Sequence, residues 1–267
     1  MSIITNKIGT LEYLTAEAIS VPHCFTTRLG GVSEGYLRSL NLGMSRGDDP
    51  ENVRKNYAIL GEALGFDPKK AVLSRQVHSN IVLPVGEGDW GAGLYTQPLP
   101  DCDGLVTNTP GTALVVFTAD CTPILFWDPV TGAVGAAHAG WRGTVSGIAA
   151  KTVEAMRACF GSRPEDIRAA IGPNIGACHF ETGEDVPRAL LEAFGPDMNA
   201  FIRPQGEKYY VDLKAVNAWV LRRAGVDKMD ISGDCTVCQS HRFWSHRVTQ
   251  GQRGSQGAVI VCREVWA

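Results

Sequence analysis

The chain has 267 residues, of which 44% are hydrophobic and 20% charged, and a net charge of −3 at pH 7. This length allows one large domain or two small ones, and the slight negative charge gives no electrostatic reason to expect nucleic acid or an anionic membrane as a partner. We find no signal peptide, no apolar run near the ~18 residues that span a bilayer, and too few cysteines for a disulfide scaffold, so we expect a cytoplasmic protein with reduced cysteines.

The first predicted elements are two short strands within residues 10–27, which end at Phe25-Thr-Thr-Arg28. A glycine-rich loop follows and carries Arg28 and Asn41. We interpret this loop as a solvated surface segment, with anion binding by the arginine as the alternative.

A helix capped by Asp49 and closed by Gly65 precedes two strand candidates, Ala71–His78 and Ile81–Val85. His78 falls in the connection between these strands. A lone histidine there is more often a hydrogen-bonded structural residue than a ligand, although a strand end is also where ligands lie.

Residues 86–104 are rich in Gly, Pro and Asp and predict a long irregular segment. Such a segment is either mobile or a lid over a site. Trp90 and Tyr95 would either stack on a planar ligand or anchor the segment to the body of the protein.

The centre of the chain predicts three buried strands, Leu114–Asp120, Pro123–Asp128 and Ala133–Ala139. Cys121 and His138 lie at strand ends, and Gly140-Trp-Arg-Gly143 offers an anion-binding turn before a helix. With one further ligand, Cys121 and His138 would form a three-ligand zinc site with an open position.

The remaining elements follow from apolar spacing and glycine stops: a helix along Val145–Phe160, the strand Ile167–Ile171, the helix Val186–Phe194, the strand Tyr209–Leu213, the helix Ala215–Ala224 and the strand Ala258–Val265. Cys178 and His179 are either extra ligands or packing residues, and we prefer the structural interpretation for His179. Cys235-Thr-Val-Cys238 is a single C-x-x-C, which we interpret as two reduced cysteines near a strand end.

Several motifs, in this order, resemble the YfiH-type laccase-domain family, which is also labelled polyphenol oxidase, purine nucleoside phosphorylase or peptidoglycan editing factor. The resemblance covers nearly the whole chain and rests on Thr27–Ser33, Ser39–Leu42, Gln76–His78, Thr118–Pro123, Ala137–Gly143, Ile171–Gly176 with Cys178, and Phe243–Arg247. The last match is looser, because Cys238 and Trp244 are variants.

The resemblance implies a single domain over residues 1–267 with an α+β fold, a four-layer α/β/β/α sandwich of mixed sheets. It also implies a zinc ion held by His78, Cys121 and His138. The implied reactions are phosphorolysis of adenosine, inosine, guanosine and S-methyl-5'-thioadenosine, and deamination of adenosine. The expected partners are therefore a purine nucleoside and phosphate, with the chain acting as a monomer or homodimer.

Deamination needs an activated water at the purine C6 and an acid/base group beside it. We assign that second role to Asp120, or to Asp103; Asp120 reaches the site of Cys121 only if the strand breaks there. Phosphorolysis needs a phosphate aimed at the ribose C1′, for which Arg28 and Arg142, both beside glycines, are our candidates. Further candidate substrate residues lie in the matching motifs: Asn41, Gln76, Cys178 and Arg247.

Three other functions stay open. A copper-dependent phenol oxidase would need several coppers and many histidines, whereas the chain has six histidines. A metal-free hydrolase would use Cys121 as nucleophile and His138 as base, and the family's link to peptidoglycan editing suggests a cell-wall precursor as substrate. A non-catalytic nucleoside- or metal-binding module would bind ligand without turnover.

Overall fold

The computed structural model describes residues 2–263. The helices within this range are α1 (Pro50–Leu64), α2 (Trp141–Val145), α3 (Ile148–Phe160), α4 (Asp185–Phe194), α5 (Leu213–Arg223) and α6 (His246–Thr249). The strands are β1 (Ile3–Ile8), β2 (Leu11–Ala16), β3 (His23–Thr26), β4 (Ala71–Leu73), β5 (Val82–Pro84), β6 (Gly104–Thr107), β7 (Ala113–Thr118), β8 (Thr122–Trp127), β9 (Val134–Ala139), β10 (Arg168–Ile171), β11 (Glu181–Thr182), β12 (Ile202–Gln205), β13 (Lys208–Val211), β14 (Lys228–Ile231) and β15 (Gln256–Val261).

Two six-stranded mixed sheets form the body of the protein. The first has the order β1-β2-β3-β15-β7-β4, antiparallel except for the parallel pair β4/β7. The second has the order β14-β10-β8-β9-β6-β5, with parallel pairs only at its two edges. A third, small antiparallel sheet has the order β11-β13-β12 and shares no strand with the other two. The fold is therefore α+β with mixed sheets, as predicted.

Alternating residues of the central strands enter different cores, because successive side chains of a strand point to opposite faces. On β7, Val115 packs with α1 residues, whereas Leu114 packs toward the second sheet. On β8, Leu125 joins the core between the sheets and Ile124 packs with residues of α3 and α5. The order of packing is helix, sheet, sheet, helices, which is the order that the four-layer prediction describes.

Helix α1 begins and ends where its sequence predicts. The Asp49 carboxylate accepts a hydrogen bond from the backbone N–H of Glu51, and Gly65 closes the helix in the left-handed conformation with φ of 70°. Val53, Tyr57 and Leu60 are fully buried against the first sheet. This helix is scaffold and does not reach the candidate site.

Some predicted boundaries were wrong. The strand predicted for Ala71–His78 ends at Leu73, and residues 74–81 form a loop. The helix predicted along Val145–Phe160 is divided into α2 and α3 by Gly147, which has φ of 79°. Strands β1, β6, β11, β12 and β14 were not predicted. The last strand ends at Val261, and residues 264–265 of its predicted range lie outside the described residues.

The irregular segment 86–104 is anchored to the body by Trp90. Its indole N–H donates to the Thr112 hydroxyl at 2.9 Å, and the Lys70 ammonium lies 4.2 Å from the ring centroid. Tyr95 is 41% exposed and faces the Arg54 guanidinium. These contacts support the anchoring role for Trp90 rather than stacking on a ligand.

Candidate metal centre

The three predicted ligands come together in the structure. His78 lies in the loop after β4, Cys121 between β7 and β8, and His138 on β9. Their potential ligand atoms all lie within 4.8 Å of one another. The two imidazole rings meet edge to face, with centroids 4.8 Å apart. Side chains separated by up to 60 positions thus present two nitrogens and a sulfur to one point, the donor set that zinc binds.

Cys121 lies where the chain crosses from one sheet to the other. β7 belongs to the first sheet and β8 to the second, so residues 119–121 must turn sharply between the layers. Asp120 makes this turn in the left-handed region, with φ of 85°. The strand ends at Thr118, so neighbouring side chains no longer have to point to opposite faces at Asp120 and Cys121. Both residues line one cavity.

A buried carboxylate, Asp103, holds the two histidines in place. It is fully buried and accepts the N–H of the His138 Nδ1 at 2.8 Å. It also accepts the backbone N–H of His78 at 3.1 Å, and both the backbone N–H and the hydroxyl of Ser79 at 2.7 and 2.8 Å. A carboxylate behind a ligating imidazole fixes its tautomer and orientation. The structure therefore favours a positioning role for Asp103 over acid/base chemistry.

The charges of this group are interdependent. Burial alone would lower the pKa of His138, but the Cys121 sulfur and the Asp103 carboxylate raise it to about 9. Burial would raise the pKa of Asp103, but hydrogen bonds from His138 and Ser79 lower it to about 2. Burial lowers the pKa of His78, and the neighbouring His138 adds to that effect.

Gly140 allows the cluster to be compact. A Cβ atom at this position would lie 2.5 Å from Nδ1 of His78 and 3.2 Å from Sγ of Cys121. Any side chain here would displace two of the three ligands. The glycine after β9 is therefore required by a close approach, and its backbone φ of −65° is ordinary.

The cluster forms one end of a cavity of about 460 Å³. Its wall combines apolar side chains with three arginines, and consists of Arg46, Gln76, His78, Phe117, Thr118, Ala119, Asp120, Cys121, His138, Ile175, Phe180, His246, Arg247, Arg253 and Ser255. A concave site with apolar walls and a few convergent polar groups is typical of small-molecule binding.

Two of the arginines were missed by the sequence analysis. Arg253 is largely buried, and its Nε–H has no hydrogen-bond partner. Burial and the charge of Arg46 lower its pKa to about 10. The Arg46 Nε–H and an Arg253 Nη1–H donate to the Ser255 hydroxyl at 3.3 and 3.2 Å. Both arginines stand beside a glycine, Gly47 and Gly254, the same signal that nominated Arg28 and Arg142.

Of the predicted substrate residues, Gln76 and Arg247 line the cavity. The Gln76 amide is bound to the backbone of Phe117, with contacts of 2.6 and 2.8 Å. The Arg247 guanidinium donates to the carbonyls of His179 and Glu181 at 2.9 and 3.0 Å, and its backbone N–H donates to Asp120 at 2.7 Å. Both side chains hold the cavity wall together.

Asn41 and Arg28 lie outside the lining. Asn41 is fully buried, and its amide oxygen accepts the backbone N–H of Ser255, so it positions that wall residue. The Arg28 guanidinium lies 3.9 Å from the centroid of the Trp244 ring and donates to the carbonyls of Ser240 and Arg38. The guanidinium is thus bound to these groups and does not reach the cavity, and the segment that carries it is partly buried rather than fully solvated.

Arg142 and Cys178 also lie outside the lining. Arg142 is exposed on α2, with its guanidinium 4.2 Å from the centroid of its neighbour Trp141. Its charge is close enough to lower the pKa of His78 slightly. Cys178 belongs to a separate group of side chains with His179, Cys235 and Cys238.

Within residues 2–263, none of the helices has both the length and the apolar content needed to cross a membrane.

The fold and the cluster define an α+β protein with a candidate His₂Cys metal centre between two mixed sheets. Residues 22–263 match the family described as multi-copper polyphenol oxidoreductase laccase, and the chain belongs to that family. The resemblance found in the motifs is thereby confirmed.

Similar proteins carry a more specific name. The chain is 42% identical over 251 residues to a purine nucleoside phosphorylase of Deinococcus radiodurans, covering 94% of this chain and 92% of that protein. It is 38% identical to the purine nucleoside phosphorylase YfiH of Escherichia coli, covering 85% and 88% of the two chains. The crystal structure of YlmD from Geobacillus stearothermophilus superposes with a TM-score of 0.91 at 35% identity, covering 98% of this chain and all of the other.

Proposed function

We propose that the chain is a zinc-dependent purine nucleoside phosphorylase that converts adenosine, inosine, guanosine or S-methyl-5'-thioadenosine and phosphate to free base and pentose 1-phosphate. Adenosine deaminase activity is the second reaction proposed for the same site. The observation that carries the proposal is the convergence of His78, Cys121 and His138 at a cavity that also holds two adjacent arginines. The name of the similar proteins supports the same reaction.

The donor set fits zinc. Two imidazoles and one thiolate leave a fourth position toward the cavity, and the carboxylate of Asp103 behind His138 completes a common zinc arrangement. A bound zinc ion would supply Lewis acidity at this open face. A blue-copper site also uses two histidines and a cysteine but adds a distant axial ligand, commonly methionine. The cavity lining identified within residues 2–263 includes no methionine.

We assign phosphate binding to Arg46 and Arg253. Their guanidinium groups meet at Ser255, and the free Nε–H of Arg253 is a buried donor without an acceptor. An oxyanion there would satisfy this donor and relieve the repulsion between the two cations. Phosphorolysis then needs the phosphate oxygen to attack the ribose C1′ while the glycosidic bond to the purine breaks.

Binding of the purine base and proton exchange with it require other groups of the cavity. Phe117 and Phe180 provide flat apolar surface for a purine ring. Asp120 is held by the Thr236 hydroxyl and the Arg247 backbone N–H, at 2.6 and 2.7 Å. We assign it proton exchange with the base in either reaction, because it is the carboxylate on the cavity wall.

The first test measures zinc content and product formation on a panel of nucleosides with and without phosphate. We expect free base only when phosphate is present, and loss of both zinc and turnover in Cys121→Ala. Full activity in that variant, or equal base release without phosphate, would refute the proposal.

The phosphate assignment has its own test. We expect Arg253→Gln to raise the KM for phosphate about 10-fold or more with a smaller effect on nucleoside, because it removes charged hydrogen bonds. Arg28→Gln and Arg142→Ala are the matched comparisons, since each removes a cation outside the lining. If Arg142→Ala changes the phosphate KM and Arg253→Gln does not, the sequence-based candidate is the correct one.

A metal-free cysteine hydrolase is the second candidate, because Cys121, His138 and Asp103 also have the order of a nucleophile, base and orienting carboxylate. In this case the zinc-free protein keeps its activity, and a chelator has no effect. An electrophilic substrate analogue would label Cys121 covalently.

A further inference from the structure

A second group of side chains of the types that bind metals lies outside the cavity lining. Cys178 and His179 follow the turn after β10, and Cys235 and Cys238 lie in the loop between β14 and α6. One ligand atom from each of the four residues lies within 4.8 Å of the other three. We infer that Cys178, His179, Cys235 and Cys238 form a structural Cys₃His zinc site, distinct from the centre at Cys121.

The spacing of the atoms fits a tetrahedral ion. Zinc bonds of about 2.3 Å to sulfur and about 2.0 Å to nitrogen place neighbouring ligand atoms roughly 3.5–3.8 Å apart. Nδ1 of His179 lies 3.2, 3.4 and 3.7 Å from the sulfurs of Cys178, Cys238 and Cys235. The sulfurs of Cys178 and Cys238 lie 3.6 Å apart. Three sulfurs thus converge on one ring nitrogen of His179.

Backbone donors around Cys235 are arranged for a thiolate. The N–H of Gly176 donates to its sulfur at 3.2 Å. The backbone N–H groups of Val237 and Cys238 also donate to this sulfur. A Cβ atom at Gly176 would lie 3.2 Å from both Sγ of Cys178 and Cβ of Cys235, so the glycine leaves room for these two cysteines. Such hydrogen bonds to ligating sulfur are typical of the surroundings of a structural metal site.

A buried lysine, Lys214, lies close enough to the proposed site to balance its charge. Zinc with three thiolates and a neutral imidazole carries one negative charge. The Lys214 ammonium is only 8% exposed and donates to the carbonyl of Asp234, next to the first ligand of the loop. Burial lowers the pKa of Lys214, and the negative charge of Asp212, followed by that of Cys235, Asp234 and Cys178, opposes that effect. A buried lysine that requires a nearby anion thus lies beside the proposed site.

The site joins two loops that form the cavity wall. Thr236, between the two cysteine ligands of one loop, donates to Asp120. His179, on the other loop, accepts from Arg247 through its carbonyl, and its neighbour Phe180 lines the cavity. With four protein ligands the ion would have no open position, so its role would be structural.

Zinc stoichiometry of the protein purified under reducing conditions tests the inference. We expect about two zinc ions per chain in the wild type, about one in Cys238→Ser and about one in Cys121→Ala. Cys159→Ser removes an exposed cysteine outside both clusters and should keep two. One zinc in the wild type that disappears in Cys121→Ala refutes this second site and leaves the proposed function intact. Loss of the only zinc in Cys238→Ser, with none lost in Cys121→Ala, supports the second site and refutes the catalytic zinc.

Two further measurements cover a variant that fails to fold. X-ray absorption on Cys121→Ala should show zinc with three sulfur ligands and one nitrogen ligand. Cys238→His, which replaces one zinc ligand by another, should retain about two zinc ions where Cys238→Ser does not. The inference is overturned if mass spectrometry of the metal-free native protein finds a disulfide between Cys178 and Cys238 and zinc does not bind after its reduction.

Discussion

At the scale of single residues, the centre depends on side chains that touch no substrate. Asp103 binds the loop of His78 and the ring of His138 through one carboxylate. The two ligands come from segments 60 positions apart in the sequence, so a common hydrogen-bond acceptor is what fixes their relative position. Gly140 supports the ligands in a different way, because the absence of a side chain there leaves room for His78 and Cys121.

Asp103→Asn should weaken zinc binding about 10- to 100-fold, because the amide no longer holds the His138 N–H with a charge. Competition with a chromophoric chelator measures the change. Asp128→Asn is the control: it removes the charge of an equally buried carboxylate, which accepts hydrogen bonds from Val130, Thr131 and Ser162 and from none of the zinc ligands. Equal zinc affinity in Asp103→Asn and the wild type would show that the carboxylate does not support the site.

Gly140→Ala should lower zinc occupancy and activity together while the protein stays folded. The added methyl group would displace the ring of His78, an exposed residue in a loop. Gly88→Ala provides the control, since its Cβ meets no atom within 4 Å. Zinc analysis and circular dichroism of both variants are sufficient, and a fully occupied Gly140→Ala would contradict the steric argument.

At the scale of elements, the decisive feature is the crossing between β7 and β8. Ala119, Asp120 and Cys121 carry the chain from one sheet to the other, and all three line the cavity. Asp120 at the turn accepts a hydrogen bond from Thr236 of the distant loop before α6. The crossing is therefore fixed from outside by a residue that has no contact with the proposed substrate.

Thr236→Val should reduce kcat/KM about 10-fold through the displaced Asp120, with the catalytic zinc retained. Steady-state kinetics and metal analysis of the same preparation provide the readout. Thr152→Val is the matched control, because Thr152 is also fully buried but donates only within helix α3. A similar loss in both variants would indicate general destabilisation.

Alternating and helical apolar patterns predicted α1 and the three central strands, since these patterns are local. They also placed Cys121 and His138 at strand ends. They did not reveal that β7 and β8 belong to different sheets, because apolar runs look alike whichever neighbour they pair with. The role of Asp103 and the meeting of Cys178 with Cys238 depend on contacts between distant segments, for which a single sequence carries no local signal. Arg46 and Arg253 each have a neighbouring glycine as a local signal, but nothing local shows that the two side chains meet.

At the scale of the whole molecule, the two ends of the chain are joined by a buried ion pair. Glu12 on β2 accepts the Nε–H of Arg242 at 2.7 Å, and the Lys7 ammonium lies 3.2 Å from its other oxygen. Glu12 and Arg242 are 7% and 19% exposed, which separates them from the exposed pairs on the helices. The pair links the first sheet to the loop that carries Cys235 and Cys238.

Glu12→Gln should lower the free energy of unfolding at pH 7 by about 1–2 kcal/mol. Burial would raise the pKa of Glu12, but Arg242 and Lys7 lower it below its ordinary value of 4.5. Its contribution is therefore complete above pH 4.5 and is lost as the pH falls through the lower pKa of the folded state. Urea unfolding of wild type and variant should differ at neutral pH and converge in acid. Glu154→Gln, which breaks an exposed pair with Lys151, should change stability little at any pH. If the free energy of unfolding of Glu12→Gln stays equally far below that of the wild type in acid, packing rather than charge is the source of the stabilisation.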